Sequence, residues 1–307
     1  MRTELAKYQG VFPAFYACYD ESGAFCAERT RLLARHLVNK GVQGLYVGGS
    51  SGECIYLSKE ERMKTLETVM DEVRGECVVI AHVACNNTAD SMELARHAQA
   101  QGVDAIAAIP PIYFHLPEHA IAKYWNDISS AAPDTDFFIY NIPQLAGVAL
   151  TMPLYREMLK NPRVKGVKNS SMPTQDIEMF ITAGEGRVTV FNGPDEQFVA
   201  GRAIGAAGGI GGTYAVMPEL FLRMDALLKA GDLAGARELQ YTVNGIIYAM
   251  CACRGNLYAV MKKILEINEG LSLGSVRPPL PALAQEDQGQ VERCARMIRD
   301  AVDRFTK

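Results

Sequence analysis

The 307-residue sequence has no apolar run long enough to cross a membrane, because nowhere do about 18 apolar residues follow one another. Residues 1–10 also lack the apolar centre of a secretory signal peptide. We therefore expect a cytoplasmic protein that does not contact membranes.

The cysteines lack the rhythm of a disulfide framework, and no paired Cys-x-x-Cys motif indicates zinc. Eight cysteines are scattered along the chain, so we expect reduced thiols. His115 and His119 lie four residues apart and could suggest a metal pair. Pro117 between them is more typical of a loop that enters a helix.

Clusters of basic residues interleaved with aromatic ones are absent as well. The net charge is -4, which together with this absence argues against a nucleic-acid partner. A small anionic substrate would need positive groups placed locally at its site.

The composition, 49% apolar and 21% charged, is that of an ordinary globular protein. The length fits one large α/β barrel with an added segment, or two smaller domains. Eight apolar segments have the pattern of strands, at residues 11–17, 44–47, 77–83, 105–109, 137–140, 164–168, 188–191 and 208–211.

Helical patterns alternate with these strands, with apolar residues recurring at intervals of three and four, at 27–39, 59–73, 89–100, 118–130, 154–159, 175–183 and 196–204. Ser58 and Glu61 form a capping box for the second of them. The regular alternation with short loops predicts an α/β fold, a closed TIM (β/α)8 barrel, with a doubly wound open sheet as the alternative.

Strand patterns end near residue 216, and helical patterns follow at 219–229, 233–250, 257–269 and 290–305. A proline-rich stretch at 278–281 separates the last two helices. We expect residues 1–216 to form the barrel and residues 217–307 to form a helical region packed on it.

The carboxyl ends of barrel strands meet at the active site, so motifs at those ends should converge. The first is Gly48-Gly49-Ser50-Ser51-Gly52-Glu53, after the second strand. Its backbone amides and two hydroxyls suit a carboxylate, although a plain strand-to-helix turn would have the same pattern. Neither this loop nor residues 205–213 have the spacing of a nucleotide-binding motif.

Three further strand ends carry candidate residues. Tyr140 ends the fifth strand, where a phenol could pass protons, or could be a core tyrosine. Lys168 ends the sixth, where burial would lower the pKa of its amine and allow a Schiff base, or where the amine could be solvated. After the seventh strand, Asp195 and Glu196 could bind a ligand or cap the next helix.

Together these motifs resemble, over nearly the full chain, the N-acetylneuraminate lyase and dihydrodipicolinate synthase family of class I aldolases. Members of this family have a Gly-Gly-Ser/Thr-Ser/Thr-Gly-Glu loop, a strand-end tyrosine and a Schiff-base lysine in this order. The resemblance implies a TIM barrel with a helical extension, a homotetramer, and pyruvate chemistry on a keto acid without metal or organic cofactor. Tyr113 matches a family tyrosine that reaches a neighbouring active site.

Smaller features separate the branches of the family. The synthase branch has an arginine where this sequence has Leu145, which argues against dihydrodipicolinate synthase. The resemblance to the lyase branch implies that Gly193, Asp195 and Glu196 bind sugar hydroxyls and that Ser170 keeps the contact of a family threonine. Two departures concern the sugar tail, since Pro194 replaces an aromatic residue of the lyases and Gly212 replaces a serine.

The resulting hypothesis is reversible cleavage of N-acetylneuraminate. Lys168 would attack the C2 ketone while Ser50, Ser51 and the amides around Gly52 hold the adjacent carboxylate. Tyr140, through Ser51, would take up the C4 hydroxyl proton. Three rival functions are another pyruvate aldolase of 2-keto-3-deoxy sugar acids, dihydrodipicolinate synthase, and a keto-acid sensor without catalysis.

Overall fold

A computed structural model describes residues 5–307. Eight parallel strands lie within that range, each followed by a crossover: β1 Gly10–Pro13, β2 Gly44–Val47, β3 Val78–His82, β4 Ala105–Ala108, β5 Asp136–Asn141, β6 Val164–Asn169, β7 Thr189–Asn192 and β8 Gly208–Gly211. Neighbours in the chain are neighbours in the sheet from β2 to β8. All of these strands are parallel, as the alternation of strand and helix patterns in the sequence predicts.

The sheet closes on itself. β1 pairs with β8 in register from Gly10 opposite Gly208 to Pro13 opposite Gly211. On its other side a bridge joins Ala14 to Tyr46 of β2, and the Phe15 N–H donates to the Tyr46 carbonyl at 2.9 Å. The fold is therefore a TIM barrel with a helical C-terminal extension, and the open-sheet alternative is wrong.

Helices follow the strands, and the last four form the C-terminal part of the chain: α1 Ala27–Asn39, α2 Lys59–Val73, α3 Thr88–Gln101, α4 Glu118–Ala131, α5 Pro143–Ala146, α6 Met152–Met158, α7 Gln175–Gly184, α8 Phe198–Ala203, α9 Pro218–Lys229, α10 Leu233–Cys251, α11 Leu257–Glu269 and α12 Gln288–Thr306. The capping box of α2 is confirmed, because Ser58 and Glu61 bond reciprocally to each other's backbone amides. Pro117 precedes α4, as expected of a loop that enters a helix.

Two predicted elements differ from the structure. The strand predicted at 11–17 ends at Pro13, and residues 14–17 are buried without strand pairing apart from the Ala14 bridge. The helix predicted at 196–204 is divided into a 3₁₀ turn, Asp195–Gln197, and the short helix α8. The one-turn helix α5 has no counterpart among the predicted helices.

The core has two layers. The barrel interior is packed with large side chains from alternate strand positions, including Phe12, Tyr46, Phe138, Tyr140 and Phe191. A larger layer fills the space between the barrel and the surrounding helices. Because aromatic side chains fill the barrel floor, the open space of the barrel lies at the carboxyl ends of its strands.

In the C-terminal part, α9 lies against β1 and α10, while α12 packs across α9, α10 and α11. The position of α9 after β8 and beside β1 is that of the eighth helix of a barrel. The division of the chain at residue 216 stays a prediction.

Over residues 5–307, no helix has both the length and the apolarity that a membrane span requires.

Candidate active site

A cavity of about 380 Å³ opens at the carboxyl ends of the strands. Most of the residues singled out in the sequence converge on it from different strands. Its lining includes Ser50, Ser51, Tyr140, Leu145, Lys168, Ser170, Gly193, Pro194, Asp195, Glu196 and Gly212. Side chains from the C-terminal helices, among them Tyr258 of α11, close one side.

Lys168 lies at the bottom of this cavity, and its side chain is only 4% exposed. Its Nζ stands 4.0 Å from the ring centroid of Tyr140 and 4.1 Å from that of Tyr46. Burial lowers the pKa of this amine from 10.5 to about 7, and the nearby Asp195 carboxylate only partly opposes that shift. Near neutral pH a large fraction of Lys168 is therefore the neutral, nucleophilic amine.

The register of the sheet places Tyr140 beside the lysine, since Tyr140 on β5 is the direct partner of Lys168 on β6. One residue further, the Asn141 side-chain amide donates to Asn169 Oδ1 at 2.8 Å, which ties the two strand ends together. Burial raises the pKa of the Tyr140 phenol to about 12, with the neighbouring hydroxyls of Ser50 and Ser170 acting in the opposite direction. The phenol is therefore protonated at neutral pH.

The glycine-serine turn begins where Gly48 leaves β2 with a positive φ of 76°, a conformation that glycine adopts without strain. Ser50–Gly52 then form a 3₁₀ turn, which places both serine hydroxyls on the cavity wall. The turn ends at Glu53, whose N–H donates to the Ser50 carbonyl at 3.0 Å. Two hydroxyls close to a buried amine can bind a carboxylate of a substrate.

Asp195 and Glu196 differ in environment. Asp195 is buried, and one of its carboxylate oxygens accepts from both the Thr213 N–H and the Thr213 hydroxyl at 2.7 Å. Burial raises the pKa of Asp195 to about 7, against these hydrogen bonds. Glu196 is exposed at the cavity rim. At Gly193 a Cβ atom would lie 2.0 Å from Ser170 Oγ, so only glycine fits there.

Two of the predicted site residues do not line the cavity. Gly52 is buried, and its N–H donates to the Gly49 carbonyl inside the turn, at 3.0 Å. Tyr113 is 86% exposed, with a positive φ of 83°, and its ring packs edge-on against Phe114. Its predicted contact with a neighbouring active site stays a prediction.

The sequence reasoning missed Tyr46, Thr213 and Tyr258. Tyr46 presents its ring face to Lys168 from inside the barrel, Thr213 holds Asp195, and Tyr258 closes the cavity from α11. In β2, Tyr46 faces the barrel interior while Leu45 and Val47 pack toward the helices, but the whole strand is apolar and its sequence does not separate the two faces. Nothing in the pattern of α11 separates Tyr258 from an ordinary core residue.

Within residues 5–307 no cluster of three or more histidine, cysteine or acidic side chains could hold a metal ion. The groups that do converge are an amine, a phenol and two hydroxyls, together with the carboxylates of Asp195 and Glu196. An amine that can form an imine, beside a phenol that can relay a proton, suits covalent chemistry on a keto acid.

Comparisons with known proteins identify the family of this chain. Residues 7–298 match the sequence profile of the dihydrodipicolinate synthetase family. The N-acetylneuraminate lyase of Mediterraneibacter gnavus is 63% identical over 301 residues, which cover 98% of this chain and 96% of that protein.

Solved structures give the same result. A catalytic lysine mutant of the Ruminococcus gnavus sialic acid aldolase superposes with a TM-score of 0.97 at 63% identity, covering 98% of this chain and 99% of the other. A Clostridium difficile protein solved in complex with mannosamine has a TM-score of 0.90 at 29% identity, covering 94% and 98% of the two chains.

Proposed function

The chain belongs to the dihydrodipicolinate synthetase family, and from that membership we propose that it is a carbon-carbon lyase that reversibly cleaves N-acetylneuraminate to pyruvate and N-acetylmannosamine. The 63% identity to an N-acetylneuraminate lyase over 98% of the chain supports the reaction. The single observation that carries the mechanism is the buried Lys168 amine, with its lowered pKa, between two tyrosine rings.

The choice of lysine follows from burial. Among residues 5–307, only Lys168 and Lys262 are buried lysines. Lys262 forms an ion pair with Glu53 at 2.9 Å and does not line the cavity. We therefore assign to Lys168 the role that the catalytic lysine has in the R. gnavus aldolase.

In the first stage the neutral Lys168 amine attacks the C2 ketone of the substrate. The carbinolamine takes up a proton and loses water, which leaves a protonated imine joined to Nζ. Ser50 and Ser51 hold the adjacent carboxylate, so that the imine forms in one orientation. The ring faces of Tyr46 and Tyr140 lie close to the new positive charge and stabilise it.

In the second stage the C3–C4 bond breaks. Its electron pair moves toward the imine nitrogen and gives an enamine, while the C4 hydroxyl becomes the aldehyde and loses its proton. Because the Tyr140 phenol is already protonated, we propose that it relays this proton, passing its own toward the neighbouring Ser50 hydroxyl as it receives the new one. The Ser51 hydroxyl, which the sequence suggested for this step, lies beside the Tyr258 phenol instead. One proton returns to C3 of the enamine and restores the imine. Water then hydrolyses this imine and releases pyruvate and the free lysine.

The sugar tail would lie against Ser170, Gly193, Asp195 and Glu196. The exposed Glu196 is free to accept from sugar hydroxyls, whereas Asp195 already holds Thr213 and supports the wall from behind. Pro194 and Gly212 on the same wall depart from the lyase pattern. They favour, as a second candidate, cleavage of another 2-keto-3-deoxy sugar acid.

Dihydrodipicolinate synthase activity and a sensor role have less support. Leu145, at the rim, leaves no cation for the second carboxylate of a dihydrodipicolinate synthase substrate at that position. A keto-acid sensor would not need both the amine of Lys168 and the phenol of Tyr140.

We extend the proposal to a cytoplasmic homotetramer, which is typical of the family. The exposed aromatic pair Tyr113 and Phe114, with ring centroids 5.0 Å apart, offers an apolar surface to a neighbouring subunit. Light scattering should give four times the chain mass of 33.6 kDa. A monomer in solution would contradict this part of the proposal.

A substrate panel tests the reaction. Purified protein is incubated with N-acetylneuraminate and with several other 2-keto-3-deoxy sugar acids, and pyruvate release is measured. The proposal predicts the largest kcat/KM for N-acetylneuraminate. Preference for another sugar acid would support the second candidate, and release from none, with Lys168→Ala as the blank, would contradict both.

A further inference from the structure

A buried ion pair lies directly behind the active site. Glu53 Oε1 and Lys262 Nζ are 2.9 Å apart, and the two side chains are 0% and 1% exposed. Glu53 ends the glycine-serine turn after β2, whereas Lys262 belongs to α11 in the C-terminal region. The pair therefore joins the barrel loop that would bind the substrate carboxylate to a helix that is distant in the sequence.

Both charged groups of the pair have further hydrogen bonds. The second oxygen of Glu53 accepts from the Tyr19 hydroxyl at 3.1 Å and from the Arg277 N–H at 2.9 Å. Lys262 also donates to the Ser275 carbonyl at 2.8 Å, and its ammonium stands 4.7 Å from the Tyr19 ring centroid. Removing both charges from water costs much of what their attraction provides, so stability alone does not account for the pair.

Both ends of the pair are connected to residues of the cavity. Ser51 lies two residues before Glu53 in the same tight turn, and Tyr258 lies one helical turn before Lys262, on the same face of α11. Ser51 and Tyr258 approach each other at Gly212, where a Cβ would lie 3.2 Å from Ser51 Oγ and 3.9 Å from Tyr258 Cε1. A shift of α11 relative to the turn would therefore change the distance between these two cavity side chains.

We propose that Glu53 and Lys262 are positioning residues, whose ion pair fixes the position of α11, the helix of Tyr258, relative to the carboxylate-binding turn. The pair thereby makes the C-terminal region part of the active site. This inference rests on the proposed function for its substrate. The pair itself touches neither the cavity nor the substrate. Its effect reaches catalysis through Ser51 and Tyr258.

The test uses Glu53→Gln, Lys262→Met and the double variant in the full chain. Each single variant leaves one buried group without its partner, so it should lose stability as well as activity. In the double variant the glutamine oxygen can still accept from Tyr19 and Arg277, and no charge is left unpaired. Its urea midpoint should return toward the wild-type value while kcat/KM stays lower by about tenfold or more, because the link between turn and helix is missing.

A second readout does not depend on the sugar. Borohydride trapping of pyruvate on Lys168 should need a higher pyruvate concentration in the double variant, because Ser50 and Ser51 hold the carboxylate less well. The pH midpoint of trapping should not move, since the burial of Lys168 is unchanged.

Asp225→Asn is the matched control. Asp225 is also a buried carboxylate, paired with Arg202 of α8 at 2.9 Å and with Lys229 of α9, away from the cavity. It should lower the urea midpoint and leave kcat/KM and trapping unchanged.

A double variant with wild-type kcat/KM and trapping would overturn the inference, and so would an equal loss of both in Asp225→Asn. If the double variant does not fold, Glu53→Asp keeps the charge but shortens the side chain, and wild-type trapping by that variant would overturn the inference as well. A wild-type protein that releases pyruvate from no sugar acid contradicts the proposed function instead, and trapping would then still report on the pair.

Discussion

At Lys168, two opposing effects set the charge of the amine. Burial favours the neutral form, while the Asp195 carboxylate favours the ammonium, and the pKa settles at about 7. Since attack on the ketone requires the neutral amine, kcat/KM should rise with pH through a midpoint near 7. Asp195→Asn removes the negative charge, so the midpoint should move to lower pH. A midpoint that stays or moves upward, in pH profiles of both proteins, would contradict this balance.

Tyr46 offers a test of the two ring faces. Its hydroxyl is buried and has no hydrogen-bond partner among residues 5–307, whereas its ring centroid lies 4.1 Å from the Lys168 amine. Tyr46→Phe keeps the ring and should retain kcat and stability. Tyr46→Leu removes the face that stabilises the positive imine and should lower kcat by about tenfold. Steady-state kinetics measure kcat of both variants. Equal kcat values would contradict a role of the Tyr46 ring face.

At the scale of elements, the turn after β7 depends on a glycine. A Cβ at Gly193 would meet Ser170 Oγ at 2.0 Å and the Asn169 carbonyl at 2.8 Å, so Gly193→Ala must displace the end of β6 next to Lys168. We expect kcat/KM to fall by about 10- to 100-fold. Gly245→Ala is the control, because that glycine lies in α10 with open space around it, and it should leave activity intact. Normal kinetics of Gly193→Ala would show that the turn is not constrained in this way.

Most elements can be predicted because the strands are short continuous apolar runs, buried at every position in β2 and β4, whereas the helices have apolar residues at intervals of three and four. Residues 14–17 have the apolar pattern of a longer β1, but their burial comes from packing above the barrel. Tyr16, for example, donates to the Gly212 carbonyl at 2.6 Å and tilts against Tyr258. An apolar pattern reports burial, and burial does not require strand pairing.

The candidate site is predictable where its residues stand at strand ends in recognisable motifs, as Tyr140, Lys168 and Asp195 do. Tyr258 is not, because its place in the cavity follows from how α11 docks on the barrel. That docking includes long-range contacts such as the pair of Glu53 with Lys262. No local pattern encodes them.

At the scale of the whole molecule, the buried Lys168 amine should lower the free energy of unfolding. Between pH 7 and 10.5 the unfolded chain takes up a proton on Lys168 that the folded chain does not, so this lysine makes the protein less stable as the pH falls through that range. Lys168→Met should therefore raise the free energy of unfolding by roughly 4 kcal/mol at pH 7. The gain should shrink toward pH 10.

Urea unfolding of both proteins at equal concentration, at pH 7 and pH 9, measures this difference. A variant less stable than the wild type at pH 7, or a gain that grows with pH, would contradict the burial of an uncharged amine.

The most direct measurement is mass spectrometry of the protein after incubation with pyruvate and borohydride. Reduction of the imine makes the bond permanent, so we expect one added reduced pyruvyl group per chain, located by peptide mapping on Lys168 and absent from Lys168→Ala. An unmodified Lys168, or an adduct on another lysine, would contradict the claim that this buried amine joins the keto acid.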